Sequence, residues 1–96
     1  MNDRDVIALR VRIHGRVQGV WYRAWTQQEA VKLRLDGWVR NRRDGTVEAV
    51  FAGYRGDIEV MIKACHEGPP LANIIEIEVE KADRPKEERF LILPTT

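Results

Sequence analysis

A chain of 96 residues with 16 basic and 15 acidic side chains, formal charge +1, has room for one domain, residues 1–96, and for no second. The near balance leaves no broad field for a nucleic acid or an anionic membrane surface, so any anion must be held locally. Cys65 stands alone, which excludes an intrachain disulfide and a Cys-x-x-Cys metal or redox site.

Met1-Asn2-Asp3-Arg4-Asp5 carries no apolar run of the kind a signal peptide needs, and no segment is long enough to span a bilayer. A cytoplasmic protein with no membrane contact is therefore expected. Ile7, Leu9, Val11 and Ile13 then alternate with Ala8, Arg10, Arg12 and His14, the period of a strand with one buried face. Gly15-Arg16-Val17-Gln18-Gly19-Val20 follows as a loop bracketed by glycines, which take backbone angles closed to other residues and let successive amides converge on one oxyanion.

Tyr22, Thr26, Ala30 and Leu33 are spaced for the buried stripe of a first helix. The free donors at its start add partial positive charge, and Arg23 supplies a planar fork for two phosphoryl oxygens. After Gly37, Trp38–Asn41 reads as a second strand, Asp44-Gly45 as a hairpin turn and Thr46–Ala52 as a third strand. Asp57 is read as the N-cap of a second helix with Ile58, Met61, Ile62 and Cys65 inward, stopped by Gly68-Pro69-Pro70. Ile75, Ile77 and Val79 alternate with Glu76, Glu78 and Glu80 as a fourth strand. Lys81–Arg89 is a charged loop, and Phe90–Leu93 makes a short fifth strand.

This order is βαββαβ plus an edge strand, the α+β ferredoxin-like sandwich: an antiparallel sheet with two helices on one face. A right-handed crossover makes the first and second strands run the same way with the third between them. Their C-terminal ends then share one edge, where the glycine loop, Arg23 and Asn41 should converge.

Two signatures carry a family resemblance. Gly15-Arg16-Val17-Gln18-Gly19-Val20-Trp21-Tyr22-Arg23 and Gly37-Trp38-Val39-Arg40-Asn41, the latter continuing through Gly45, Val47 and Gly53, resemble the acylphosphatase patterns at every fixed position. The resemblance extends over nearly the whole chain. It implies hydrolysis of acyl phosphates to carboxylate and inorganic phosphate, with Arg23 binding the phosphoryl group and Asn41 holding the attacking water. The amides of Gly15, Arg16, Val17, Gln18, Gly19 and Val20 would complete the cradle.

The chemistry agrees with what the chain lacks. It contains no serine, no Walker-type Gly-Lys-Ser/Thr and no paired-His spacing, so neither a metal nor a cofactor is expected. Amides, one arginine and one asparagine cannot protonate a poor leaving group, but an acyl phosphate releases a weakly basic carboxylate and needs no acid. Inorganic phosphate is then both product and competitive inhibitor.

Other residues are read more plainly. Cys65 is a buried structural thiol, His14 and His66 are surface or strand-end histidines, and Trp38 is core. Arg16, Arg40, Arg42 and Arg43 either steer anions or are simply solvated. Trp21 either flanks the entrance and touches the acyl part or is a chance exposed aromatic.

The alternative class is a non-catalytic module on the same topology. RNA recognition would need aromatics on the first and third strands, where only Phe51 occurs, and a metal chaperone would need Cys-x-x-Cys after the first strand. A phosphate or acyl-phosphate sensor has no call for a water-positioning Asn41. Nothing requires a second chain, so a monomer is expected.

Overall fold

The computed structural model describes residues 2–96. Its elements are β1 (Val6–Arg16), α1 (Tyr22–Lys32), β2 (Asp36–Asn41), β3 (Val47–Tyr54), α2 (Arg55–Cys65), β4 (Asn73–Lys81) and β5 (Phe90–Ile92). The strands lie in the order β4-β1-β3-β2-β5. β1, β3, β2 and β4 pair antiparallel as expected, while β5 joins β2 in parallel, so the sheet as a whole is mixed.

Alternation along β1 sends Val11 and Ile13 into the core, where Val39 of β2 and Val47, Ala49 and Phe51 of β3 meet them, all fully buried. Against this face lie Tyr22, Thr26 and Ala30 of α1 and Ile58, Met61 and Cys65 of α2. Leu33 falls just past the end of α1, as its C-cap, and is only half-buried. Phe51 stacks on Phe90 in this core, with ring centres 5.6 Å apart. Phe51 is thus unavailable as a base-stacking platform, and Tyr54, at the very end of β3, is the one other aromatic on β1 and β3.

Three local expectations are corrected. Asp57 lies within the first turn of α2, and the N-cap is Tyr54 in extended conformation. The helix starts earlier because Asp5 O and Asp3 O accept from the amides of Arg55 and Gly56, a tertiary substitute for a side-chain cap. Trp38 is not core: Val39 takes the buried position of β2, and Trp38 turns to the opposite, open face with the Arg40 guanidinium 4.6 Å from its ring centre. Ile75 of β4 is 78 % exposed: it is the extra residue where the β1–β4 register shifts, and Ile74 packs against the core instead.

The open face is held by ion pairs. Glu48, near the start of the middle strand β3 and 2 % exposed, accepts from Arg40 Nε at 2.9 Å and Arg42 Nη1 at 3.2 Å, with Arg10 also close. Arg10 pairs with Glu80, Arg12 with Asp44 and His14 with Glu78. His14 is therefore spent on the face opposite the helices.

Candidate active site

Register brings the two signatures together. Ile13 and Asn41 both lie opposite Val47, one on each side of β3, so the end of β2 and the exit of β1 share one sheet edge. There a cavity of about 630 Å³ is lined by Val17, Gly19 and Val20 of the loop, by the Trp21–Ala24 start of α1, and by Asn41. Leu71 and Ile92 close its remaining wall.

The loop is shaped by its own side chains. Val17 and Val20 are 1 % and 6 % exposed; their burial in the core pins the segment and leaves its backbone along the cavity. Gly19 has φ +73° with open space where a Cβ would be, so its need for glycine is conformational. Gln18 braces the loop from outside, its amide donating to Arg42 O at 2.7 Å and Thr46 O at 2.8 Å.

Gly15 serves a different purpose from the one expected. It belongs to β1, at a bulge after His14, and a Cβ there would stand 2.1 Å from Asn73 O of β4. Gly15 and Arg16 pair with Ile74 and Asn73 as sheet residues. Neither lines the cavity, and neither does Gln18. The strand simply runs on past the point where alternating apolar residues stop.

Arg23 is set in place by the residue before it. Tyr22 is 1 % exposed and its hydroxyl donates to Cys65 O at 2.7 Å, tying the start of α1 to the end of α2. Thr26 adds a hydroxyl bond to Tyr22 O at 2.8 Å. With Tyr22 locked inward, Arg23 falls on the cavity wall, half-buried. Among the described residues no carboxylate lies within ion-pair distance of Arg23.

The first turn of α1 has no acidic residue and no side-chain cap. Its free N–H donors and the partial positive charge of the helix end thus add to Arg23. On the other side, Asn41 Oδ1 is buried without a hydrogen-bond partner, a state that costs about 1–3 kcal/mol unless a donor meets it. The cavity therefore pairs a concentrated set of N–H donors with one acceptor in need of a proton donor. That suits an oxyanion beside a water.

Cavity chemistry contains no obvious base. Tyr22 is bound to Cys65 O, and burial raises its hydroxyl far above the ordinary tyrosine range. Cys65 is fully buried, and burial pushes its thiol up to about 12, as befits a structural cysteine. Among the described residues no cluster of His, Cys, Asp or Glu has the makings of a metal site, and no helix is long and apolar enough to cross a membrane.

Sequence reasoning missed Leu71 and Ile92 at this cavity. Leu71 follows a proline pair outside any periodic segment, and Ile92 sits on the last short strand, so neither carries a local signal.

A family model described as acylphosphatase matches residues 9–92. An acylphosphatase of Rhizorhabdus wittichii is 48% identical over 91 residues, covering 95% of this chain and 92% of that protein. A solved acylphosphatase from Coxiella burnetii superposes with TM-score 0.88 at 31% identity, covering 93% of this chain and 94% of its own. One from Bacillus subtilis does so at TM-score 0.86 and 35% identity, covering 91% and 98%. A match across almost the whole chain, on a fold that brings both signatures to one cavity, means that this chain belongs to the acylphosphatase family.

Proposed function

We propose that this acylphosphatase works by in-line attack of a water held at Asn41 on a phosphoryl group cradled by Arg23, the Val17–Val20 loop and the first-turn amides of α1. The observation that carries the reading is the pairing, in one cavity, of the unpaired Arg23 with the buried, unpartnered Asn41 Oδ1. An amide oxygen accepts from a water proton and turns the water's lone pair outward, while the donor set matches the three equatorial oxygens of the transferring group.

The water oxygen forms a bond to phosphorus as the bridging P–O bond breaks, and the electron pair of that bond leaves on the carboxylate. The water's proton passes to a substrate oxygen, giving carboxylate and inorganic phosphate. Arg23 gains strength as charge builds on the equatorial oxygens, because its fork is positioned in advance and partly shielded from water. The cradle centres on Val17–Val20, with Gly15 and Arg16 continuing β1 beside it and the Gln18 side chain bracing it against the hairpin. Loop, Arg23 and Asn41 all come from one chain, which supports a monomeric enzyme, residues 1–96 acting as one domain, and nothing in the reading requires a metal, a nucleic acid or a membrane. A cytoplasmic location completes the proposal.

The test is hydrolysis of benzoyl phosphate in excess chelator by the wild type and Asn41→Ala. The wild type is expected to turn over with chelator present and to be inhibited competitively by inorganic phosphate. Asn41→Ala is expected to bind phosphate within about threefold of the wild type while kcat falls by about two orders of magnitude or more, the mark of a contact expressed in the transition state. A variant that binds phosphate poorly yet turns over bound substrate normally overturns the role of Asn41. Wild-type protein that binds phosphate without turnover makes the chain a sensor instead.

A further inference from the structure

Trp21, Leu71 and Ile92 share the cavity of Arg23 and Asn41, yet none of them has anything to offer a phosphoryl group. They are 62 %, 64 % and 41 % exposed, an apolar rim in contact with water at the mouth of a polar site. The cavity, at about 630 Å³, is in the range of about 300–1,000 Å³ that accommodates whole organic ligands, much larger than a phosphoryl group alone.

Trp21 is also held against its preference. It takes φ +71°, ψ +23°, the left-handed region that suits glycine or asparagine and disfavours bulky side chains. Val20 on one side and Tyr22 on the other are buried while Trp21 between them stays exposed, and it lines the cavity. Strain of this kind persists where neighbouring structure over-determines it, and it gathers at ligand sites.

We infer that Trp21, Leu71 and Ile92 form an acyl-group subsite that selects acyl phosphates with an aromatic or similarly bulky apolar acyl part. The inference rests on the proposed hydrolase reading, which assigns the loop amides, Arg23 and Asn41 to the phosphoryl group. None of the three rim side chains carries charge or a strong hydrogen-bonding group beyond the indole N–H, so a charged acyl group has no counterpart there. A flat ring gains by covering the indole and the two aliphatic side chains at once.

Two non-hydrolysable phosphonates with a methylene in place of the bridging oxygen separate this inference from the reading beneath it: phenacylphosphonate, the isostere of benzoyl phosphate, and acetonylphosphonate, that of acetyl phosphate. Their Kd values would be measured by calorimetry for the wild type, Trp21→Asn and Trp21→Phe, beside wild-type hydrolysis of benzoyl phosphate. Asparagine suits the left-handed backbone, so the loop is kept while the indole is lost. The wild type is expected to favour the phenacyl compound by about tenfold or more, Trp21→Asn by less than about threefold, and Trp21→Phe to restore most of the preference. A general loosening of the loop would weaken both compounds alike and leave the ratio, and that result overturns the subsite. So does a wild-type ratio near one, even if acyl phosphates are hydrolysed. A wild type that shows the ratio but leaves benzoyl phosphate intact overturns the hydrolase reading and keeps the apolar rim.

Discussion

On the open face of the sheet Arg10, Arg12, Arg40 and Arg42 each meet a carboxylate, from Glu80, Asp44 or Glu48, whereas Arg23 at the cavity meets none among the described residues. The two regions use the same side chain for opposite ends. On the open face, the long arginine stems cover a central strand that no helix protects, and the carboxylates between them cancel the charge. A hollow there of about 290 Å³ sets Arg10 and Arg12 against Glu48, Glu78 and Glu80, so it holds no excess of positive charge for an anion. At the cavity, no carboxylate among the described residues competes for the guanidinium, which is the feature the proposed phosphoryl contact relies on. Charge count alone, +1 over the chain, hides this division.

Neutralising one arginine on each side would show the division most sharply. Arg23→Gln is expected to lower kcat/KM by at least ~3 kcal/mol, a factor of about 150, and to weaken phosphate inhibition as well. Arg10→Gln, in the same assay with circular dichroism as a folding check, should stay within about twofold of the wild type. Equal losses in the two variants would erase the comparison.

A smaller effect, of a different kind, is expected at Glu48. Glu48→Gln takes the negative charge from beneath Arg10, Arg40 and Arg42 and should lower unfolding stability by about 2 kcal/mol. That is less than for a wholly buried pair, because the arginines are 26–48 % exposed. Urea unfolding measures it, and kcat of the folded variant should be retained. Collapse of kcat with stability intact would mean that the open face is coupled to the cavity.

The boundary between the two regions is Gln18, whose amide joins the loop to Arg42 O and Thr46 O. Gln18→Ala is expected to cost about 1 kcal/mol in urea unfolding and to raise the phosphate inhibition constant by a few-fold, because the cradle loses its outer brace. An unchanged inhibition constant would show that Val17 and Val20 hold the loop unaided.

The smallest effect concerns pH. Bonds from the Thr46 hydroxyl, then from its amide, hold the Asp44 carboxyl below its ordinary value. A carboxyl lowered in this way adds stability above its unfolded pKa of about 4 and loses it as pH falls through the folded value. The melting-temperature gap between the wild type and Asp44→Asn should thus be steady near neutral pH and close in strong acid. A gap independent of pH would place the effect in the amide's geometry and not in the charge.

Much of the site was legible because its parts are local. Glycines around a loop, Arg23 at the head of a helix and Asn41 at the end of a strand are each short-range patterns, and the βαββαβ order with its crossover rule was enough to expect them at one edge. The duties of particular residues were less legible. Gly15 looked like a loop glycine, but the approach of β4 makes it a sheet glycine, and β4 lies some sixty residues further along the chain. Trp38 looked like core, but strand alternation left room inward only for Val39.

By itself the sequence determined the element types, which depend on neighbours within a few positions, and through the crossover rule the place of β3 between β1 and β2. The roles expected of Arg23 and Asn41 came from the resemblance to the acylphosphatase patterns. Only the tertiary structure decided which arginines are neutralised, which polar atom of the cavity is left unpartnered, and that Trp21, Leu71 and Ile92 line one cavity. Those outcomes depend on which side chains from separate segments arrive within a few ångströms of each other, and a linear pattern holds no such distance.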